Sequence, residues 1–101
     1  MDGSYWNSPV AGNALRGVEG LNRRELLDAA YGARNPEARR LAALRLGDMA
    51  VIRSLALTDP SPIVRRRMVR EVDDEKTLRR ILESEEDEDV REAAVKRLES
   101  L

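Results

Sequence analysis

The side chains most often used for catalysis and metal binding are missing from this chain of 101 residues. It contains no Cys and no His, which removes thiol nucleophiles, disulfides and the commonest metal ligand and general base. Charged side chains are instead abundant, with 18 basic and 19 acidic residues and a net charge of −1. Sixteen of the basic residues are Arg, whose guanidinium forms bidentate pairs with carboxylates. We therefore expect ion-pair networks, no catalytic activity, no metal and no cofactor.

The densest group of carboxylates lies in residues 83–89, where six of the seven side chains are acidic. A calcium loop of the EF-hand type requires alternating ligands, a Gly turn and a terminal Glu, and this segment lacks that arrangement. Carboxylates are favoured at the positive N-terminus of a helix. We therefore interpret Asp87, Glu88 and Asp89 as the beginning of a helix.

The elements that must position these charges recur along the chain. From Leu21 onward the sequence is rich in Ala, Leu, Arg and Glu, as is typical of helices. When the sequence is shifted by 26 residues it matches itself, and each copy carries an Arg preceded four residues earlier by a helix-capping residue. The three arginines are Arg39, Arg65 and Arg91, and the three capping residues are Asn35, Ser61 and Asp87. The recurrence predicts a repeat protein.

Each repeat is predicted to be a pair of helices, which makes the fold all-α. The predicted units span about residues 22–46, 49–72 and 75–99. The leading helices are expected at 22–32, 49–58 and 75–84, and the following helices at 36–46, 62–72 and 87–99. Each helix has one apolar stripe, so a single pair cannot bury its faces alone and about three stacked pairs are needed.

The two ends of the chain differ from the repeats. Residues 1–20 hold four of the six Gly and show no sustained periodicity, so they are predicted to form a loop-like segment ahead of a repeat domain at 21–101. Trp6 is interpreted as part of a cap over the first hairpin, with a partner anchor as the alternative. Leu98 and Leu101 leave an apolar C-terminal end, so we expect a monomer or a weak homo-oligomer formed through the repeat ends.

The turn between the paired helices resembles that of a known repeat family. Residues 59–65 (DPSPIVR) resemble the turn and second-helix start of HEAT-like repeats, where an Asp and a Pro precede Val-Arg. Residues 85–91 (EEDEDVR) and 33–39 (ARNPEAR) occupy the same place in the other copies, with Ala33 where the family has Asp. The short unit is similar to those of the phycobilin lyase and leucine-rich repeat variant families. The resemblance implies a short right-handed α-solenoid of three HEAT-like hairpins, whose second helices line the partner-binding side.

The repeated arginines are interpreted as part of the scaffold. Helical geometry places Arg65 inside the apolar arc of its helix, where a charge must be paired. An acidic residue lies six positions before two of the arginines, since Asp59 precedes Arg65 and Glu85 precedes Arg91. We therefore predict a structural ion-pair row of Asp59, Arg65, Glu85 and Arg91.

The outward arc of the second helices differs from copy to copy. It carries Glu37, Arg40, Leu41 and Leu44 in the first, Ile63, Arg66, Arg67 and Arg70 in the second, and Asp89, Glu92, Ala93 and Lys96 in the third. Like charges at helical spacing repel one another, and an acidic partner would neutralise them. We predict a partner-binding surface formed by Arg40, Leu41, Leu44, Ile63, Arg66, Arg67 and Arg70. The alternative is an ordinary surface, in which the N-terminal segment covers the two leucines and Glu71, Asp73 or Asp74 pairs with Arg67 and Arg70.

These patterns predict a non-catalytic protein–protein interaction scaffold or adaptor that binds its partner on the second helices. A weak, sequence-independent nucleic-acid accessory using the same arginines is an alternative. It is not favoured, because the net charge is −1 and no aromatic residue accompanies Arg66. The resemblance to phycobilin lyases implies a third alternative, an accessory subunit of an enzyme or lyase. No apolar stretch is long enough for a membrane helix and no signal-peptide pattern is present, so a cytoplasmic location and no membrane partner are expected.

Overall fold

The computed structural model describes residues 18–101, and within that range the chain is all-α, as the sequence predicts. No strand occurs among the described residues. The helices that lie between Arg23 and Ser100 are α1 (Arg23–Gly32), α2 (Pro36–Leu46), α3 (Met49–Thr58), α4 (Pro62–Val69), α5 (Glu75–Ser84) and α6 (Glu88–Ser100). The predicted cap formed by Trp6 and its neighbours lies outside the described residues.

Most of these helices begin at a side chain that accepts a hydrogen bond from the first turn. Asn22 closes a capping box with Glu25 at the start of α1, Asn35 Oδ1 accepts from the Glu37 amide at 2.9 Å, and Asp87 Oδ1 accepts from the Val90 amide at 3.1 Å. Asp74 accepts from the amide of Thr77 in the same way at 2.9 Å. These bonds satisfy amides that a helix leaves unpaired at its N-terminus.

Helix α4 differs from the prediction at both of its ends. Ser61 occupies the N-cap position but makes no side-chain cap bond, and the Asp59 carboxylate instead accepts from the Ser61 amide at 2.9 Å. The helix also ends at Val69 rather than at the predicted residue 72, where the amides of Glu71 and Val72 donate to the carbonyls three residues earlier, those of Met68 and Val69. Bonds of this kind tighten the last turn and stop the helix.

Contacts divide the chain into two compact units, and the first ends at Asp48. In its described part, α1 packs against α2. The buried side chains at this contact are small, and Ala29, Ala30, Ala42 and Ala43 are fully buried. Gly47 adopts a left-handed conformation, with φ of 62°, and ends α2.

The second unit, Met49–Leu101, consists of two helical hairpins. Helix α3 packs against α4 and α5 against α6, and between the hairpins α4 contacts α6 and α3 contacts α5. The core of this unit uses larger side chains than the described part of the first. Those that are almost completely buried include Val64, Met68, Val69, Val72, Leu78, Ile81 and Val90. None of the helices in the described range is both long and apolar enough to span a membrane.

Candidate functional site

The three repeated arginines each make the same kind of hydrogen bond. Each guanidinium donates from Nη1 to the backbone carbonyl oxygen of the residue six positions earlier, in the turn ahead of its own helix. The pairs are Arg39 with Ala33 (2.9 Å), Arg65 with Asp59 (2.8 Å) and Arg91 with Glu85 (3.2 Å). The acceptor is a main-chain atom, so Ala33 can occupy the position at which the other copies have an acidic residue.

Arg65 also joins the two hairpins of the second unit through Glu85. Its Nε lies 2.8 Å from Glu85 Oε1 and its Nη2 lies 3.1 Å from Oε2, which is a bidentate pair. The two side chains are only 18% and 7% exposed. Burial acts to raise the pKa of Glu85, but the bonds from Arg65 and from the Asp87 amide outweigh it and lower that pKa below its ordinary value. The same pairing raises the pKa of Arg65.

The remaining members of the predicted ion-pair row have other roles. Asp59 is buried, and its carboxylate holds the turn by accepting from the Ser61 amide, while its carbonyl receives Arg65. Arg91 is exposed, and its Nη1 donates to the carbonyls of Leu82 and Glu85. The Glu85 carboxylate therefore binds Arg65, in the preceding hairpin, whereas Arg91 binds the Glu85 carbonyl.

The part of the predicted partner surface in the first unit contributes to packing. Leu41 packs against the buried side chains of Ala33 and Ala38, and Leu44 is half-buried. Arg40 pairs with Glu37, three residues earlier on α2. The described residues of α2 therefore present little unsatisfied charge at this face.

The part of the predicted surface in the second unit borders a groove of about 270 Å³. The groove lies between α4 and α6, and it is lined by Arg66, Arg70, Asp89, Glu92, Ala93, Lys96, Arg97 and Ser100. Ile63 lies one turn before Arg66 on α4 and is 72% exposed, the most exposed large apolar side chain in the described chain. The groove thus brings together two arginines of the predicted partner surface on the second repeat, Arg66 and Arg70, and the outward arc of the third repeat.

Three arginines in the second unit, Arg66, Arg70 and Arg80, have no side-chain partner among the described residues, and of these Arg66 and Arg70 line the groove. Both are exposed, and within residues 18–101 neither guanidinium makes an ion pair or a side-chain hydrogen bond. Arg67 pairs with Glu71 at 3.2 Å, as the ordinary-surface alternative expects. That alternative also offers Asp73 and Asp74 to Arg70, but both carboxylates bind Arg53, at 3.2 and 2.8 Å.

The α6 wall of the groove carries both signs of charge. Lys96 pairs with Glu92 at 3.0 Å, and Arg97 donates from Nε to the Val72 carbonyl at 2.7 Å. Asp89 is exposed and has no side-chain partner among the described residues. Ala93 is 8% exposed, and its small side chain leaves the space between the two walls open.

The predicted partner surface included none of the α6 residues that line the groove. The outward arc of the third copy already named Asp89, Glu92, Ala93 and Lys96, but not Arg97 and Ser100. Both lie on the α6 face that carries Asp89, Ala93 and Lys96, at spacings of three and four residues. Extending the outward arc of the third copy by one turn would have found them.

Comparison with known proteins identifies no relative. The chain matches no protein-family model, no curated protein and no solved structure. In the described part of the chain, no group of three or more acidic side chains is arranged to hold a metal ion. The inference of function therefore depends on the geometry and charge of the groove.

Proposed function

We propose that the protein is a non-catalytic adaptor and that the groove between α4 and α6 is its partner-binding site. The observation that carries this proposal is the pair of exposed, unpartnered guanidiniums that line the groove, those of Arg66 on α4 and of Arg70, the residue directly after α4. Two like charges at this spacing destabilise a helix by about 0.2–0.5 kcal/mol. A partner that places carboxylates against them removes the repulsion and gains charge-assisted hydrogen bonds.

We also propose that the helical hairpins form a short right-handed HEAT-like solenoid. In that solenoid the groove would lie between two adjacent repeats. Two observations support it. In the second unit α4 contacts α6 and α3 contacts α5, which is the pairing of equivalent helices that stacked repeats require. The bond from the repeated Arg to the carbonyl six residues earlier recurs in all three copies. In such a stack Arg40, Leu41 and Leu44 would extend the partner surface, which stays a prediction.

The adaptor proposal is tested by site-specific crosslinking in cells that produce the protein. A photo-crosslinking amino acid replaces Ile63, which is exposed and lies on the face of Arg66. We expect discrete protein adducts that fall at least tenfold when Arg66→Glu and Arg70→Glu are combined.

The matched control reverses two charges on a different surface. Lys76 and Arg80 are also exposed, four residues apart and without an ion pair in the described chain, but they lie on α5. The Lys76→Glu, Arg80→Glu variant should retain the adducts. Equal adduct yields from the two double variants would disprove the assignment of the site. Adducts that disappear on nuclease treatment would replace the adaptor with the nucleic-acid alternative.

A further inference from the structure

We propose that the ligand of this groove is a short extended segment of a partner protein that carries two carboxylates at alternate positions, Glu-x-Glu or its Asp equivalent. This inference rests on the proposed adaptor function and names the chemistry of its partner. It follows from the size of the groove, the spacing of Arg66 and Arg70, and the charge of the opposite wall.

The length of the groove matches a short extended segment. Its lining residues on α6 run from Asp89 to Ser100, a length of about 16 Å at 1.5 Å per residue. About five residues of extended chain cover the same length and place only two or three side chains in the groove.

The spacing of the arginines sets the spacing of the carboxylates. Arg70 follows the last residue of α4, but its backbone is still helical and its amide donates to the Arg66 carbonyl, so the two residues are about 6 Å apart along the helix axis. Alternate residues of an extended chain point to the same side and are about 6.6 Å apart. Carboxylates at positions i and i+2 therefore match the two guanidiniums, one for each.

The opposite wall favours a peptide over a nucleic acid. The Asp89 carboxylate is exposed and unpartnered in the described structure, and it can accept from the N–H groups of a peptide backbone. A phosphodiester backbone offers no N–H donor to Asp89. Residues 49–101 contain eleven basic and thirteen acidic side chains, so the unit as a whole repels a polyanion.

The test measures the fluorescence anisotropy of labelled peptides titrated with the full-length protein. The probe is a nine-residue Gly/Ser peptide with Glu-Ser-Glu at its centre. The comparison probes carry Lys-Ser-Lys or two Glu four residues apart, and a nine-nucleotide single-stranded oligonucleotide represents nucleic acid. We expect the Glu-Ser-Glu peptide to bind at least tenfold more tightly than each of the others, and its binding to weaken as salt is added.

Two variants locate the binding in the groove. Arg66→Gln with Arg70→Gln should weaken the Glu-Ser-Glu peptide at least tenfold. Ala93→Leu should weaken it at least fivefold by filling the groove without changing its charge. The Lys76→Gln, Arg80→Gln variant is the control, and circular dichroism shows whether each variant keeps its helical content. If Ala93→Leu fails to fold, the arginine pair decides the result.

Equal binding of the acidic and basic peptides, tighter binding of the oligonucleotide, or retention of binding in the arginine variant would overturn the inference. If no peptide binds while the crosslinks at Ile63 still require Arg66 and Arg70, the inference falls and the adaptor proposal stands. If the crosslinks require neither arginine, the adaptor proposal falls with it.

Discussion

Arg65 and Arg66 are adjacent in the sequence, yet their guanidiniums lie in opposite environments. Arg65 is 18% exposed and binds the Glu85 carboxylate and the Asp59 carbonyl, whereas Arg66 is exposed and binds neither. One step along a helix rotates a side chain by about 100°. That rotation directs Arg65 towards Glu85 and leaves Arg66 on the wall of the groove. A structural arginine and one that we propose to bind the partner are therefore adjacent within a single turn of α4.

Arg65→Ala should lower the free energy of unfolding by about 2 kcal/mol, because it leaves the largely buried Glu85 carboxylate without its main donor. Arg66→Ala should change it by less than about 0.5 kcal/mol, as is usual for exposed sites without contacts. Urea denaturation of both variants measures the difference. Equal losses would contradict the division of roles between these neighbours.

Acid should weaken the link between the hairpins through Glu85. Its pKa is lowered in the folded protein, so its contribution is complete above its unfolded pKa of about 4.3 and is lost as the pH falls through the folded value. Stability measured by urea denaturation should therefore decline below about pH 5. A Glu85→Gln variant should be less stable at pH 7 and show a shallower decline. An unchanged acid profile in that variant would assign the effect to other groups, among them Asp74, whose pKa is also lowered by its bonds with Thr77 and Arg53.

At the scale of the helices, the second unit uses arginine side chains to tie one hairpin to the other. Arg53 on α3 binds Asp73 and the N-cap Asp74 ahead of α5, Arg65 on α4 binds Glu85 ahead of α6, and Arg97 on α6 binds the Val72 carbonyl beyond the end of α4. The last bond satisfies a carbonyl of the segment that follows the early end of α4. The bond from Arg97 therefore connects the segment after α4, which ends earlier than predicted, to the α6 wall of the groove.

Arg97→Met should cost about 1–2 kcal/mol of stability, because Met keeps most of the apolar stem but leaves the Val72 carbonyl without its charged donor. Arg79→Met removes an exposed ion pair with Glu75 within α5, and it should cost less than about 0.5 kcal/mol. Thermal and urea unfolding compare the two variants. If Arg97→Met lowers the free energy of unfolding no more than Arg79→Met does, the bond from Arg97 to the Val72 carbonyl does not contribute to stability.

At the scale of the whole molecule, the two units bury different kinds of side chain. Among the described residues of the first unit, the core consists of alanines with Val18 and Leu26, whereas the second unit buries many Val, Leu, Ile and Met side chains. Larger apolar side chains remove more surface from water, at about 25 cal/mol per Å². We therefore expect the second unit, which also contains the groove, to contribute more stability than the described part of the first.

Adding a repeat tests the proposed solenoid. A copy of residues 49–74 inserted after Asp74 should fold as one more hairpin, because each repeat contacts mainly its neighbours. The helical circular dichroism signal per molecule should rise by about a third, in proportion to one hairpin added to three, and unfolding should remain cooperative. An insert of the same composition in shuffled order is the control. If both inserts behave alike, the repeats do not stack as proposed.

The positions of the helices could be read from the sequence because they depend on neighbours in the chain. Apolar periodicity, the caps at Asn35 and Asp87 and the Gly at the end of α2 are all local signals, and they placed most helix ends within one residue. The end of α4 was predicted wrongly, because the bonds from the Glu71 and Val72 amides to carbonyls three residues earlier follow from the path of the chain after the helix.

The all-α fold, the 26-residue period and the arginines of the second helices could be predicted from the order of the residues alone. The partners of those arginines depend on how the helices pack: Glu85 binds back to Arg65, Asp73 and Asp74 bind Arg53, and Arg66 and Arg70 have no partner among the described residues beside the groove. The physical reason is that many acidic residues lie within a few positions of every arginine. The choice among them depends on distances between hairpins, which appear only when the helices pack.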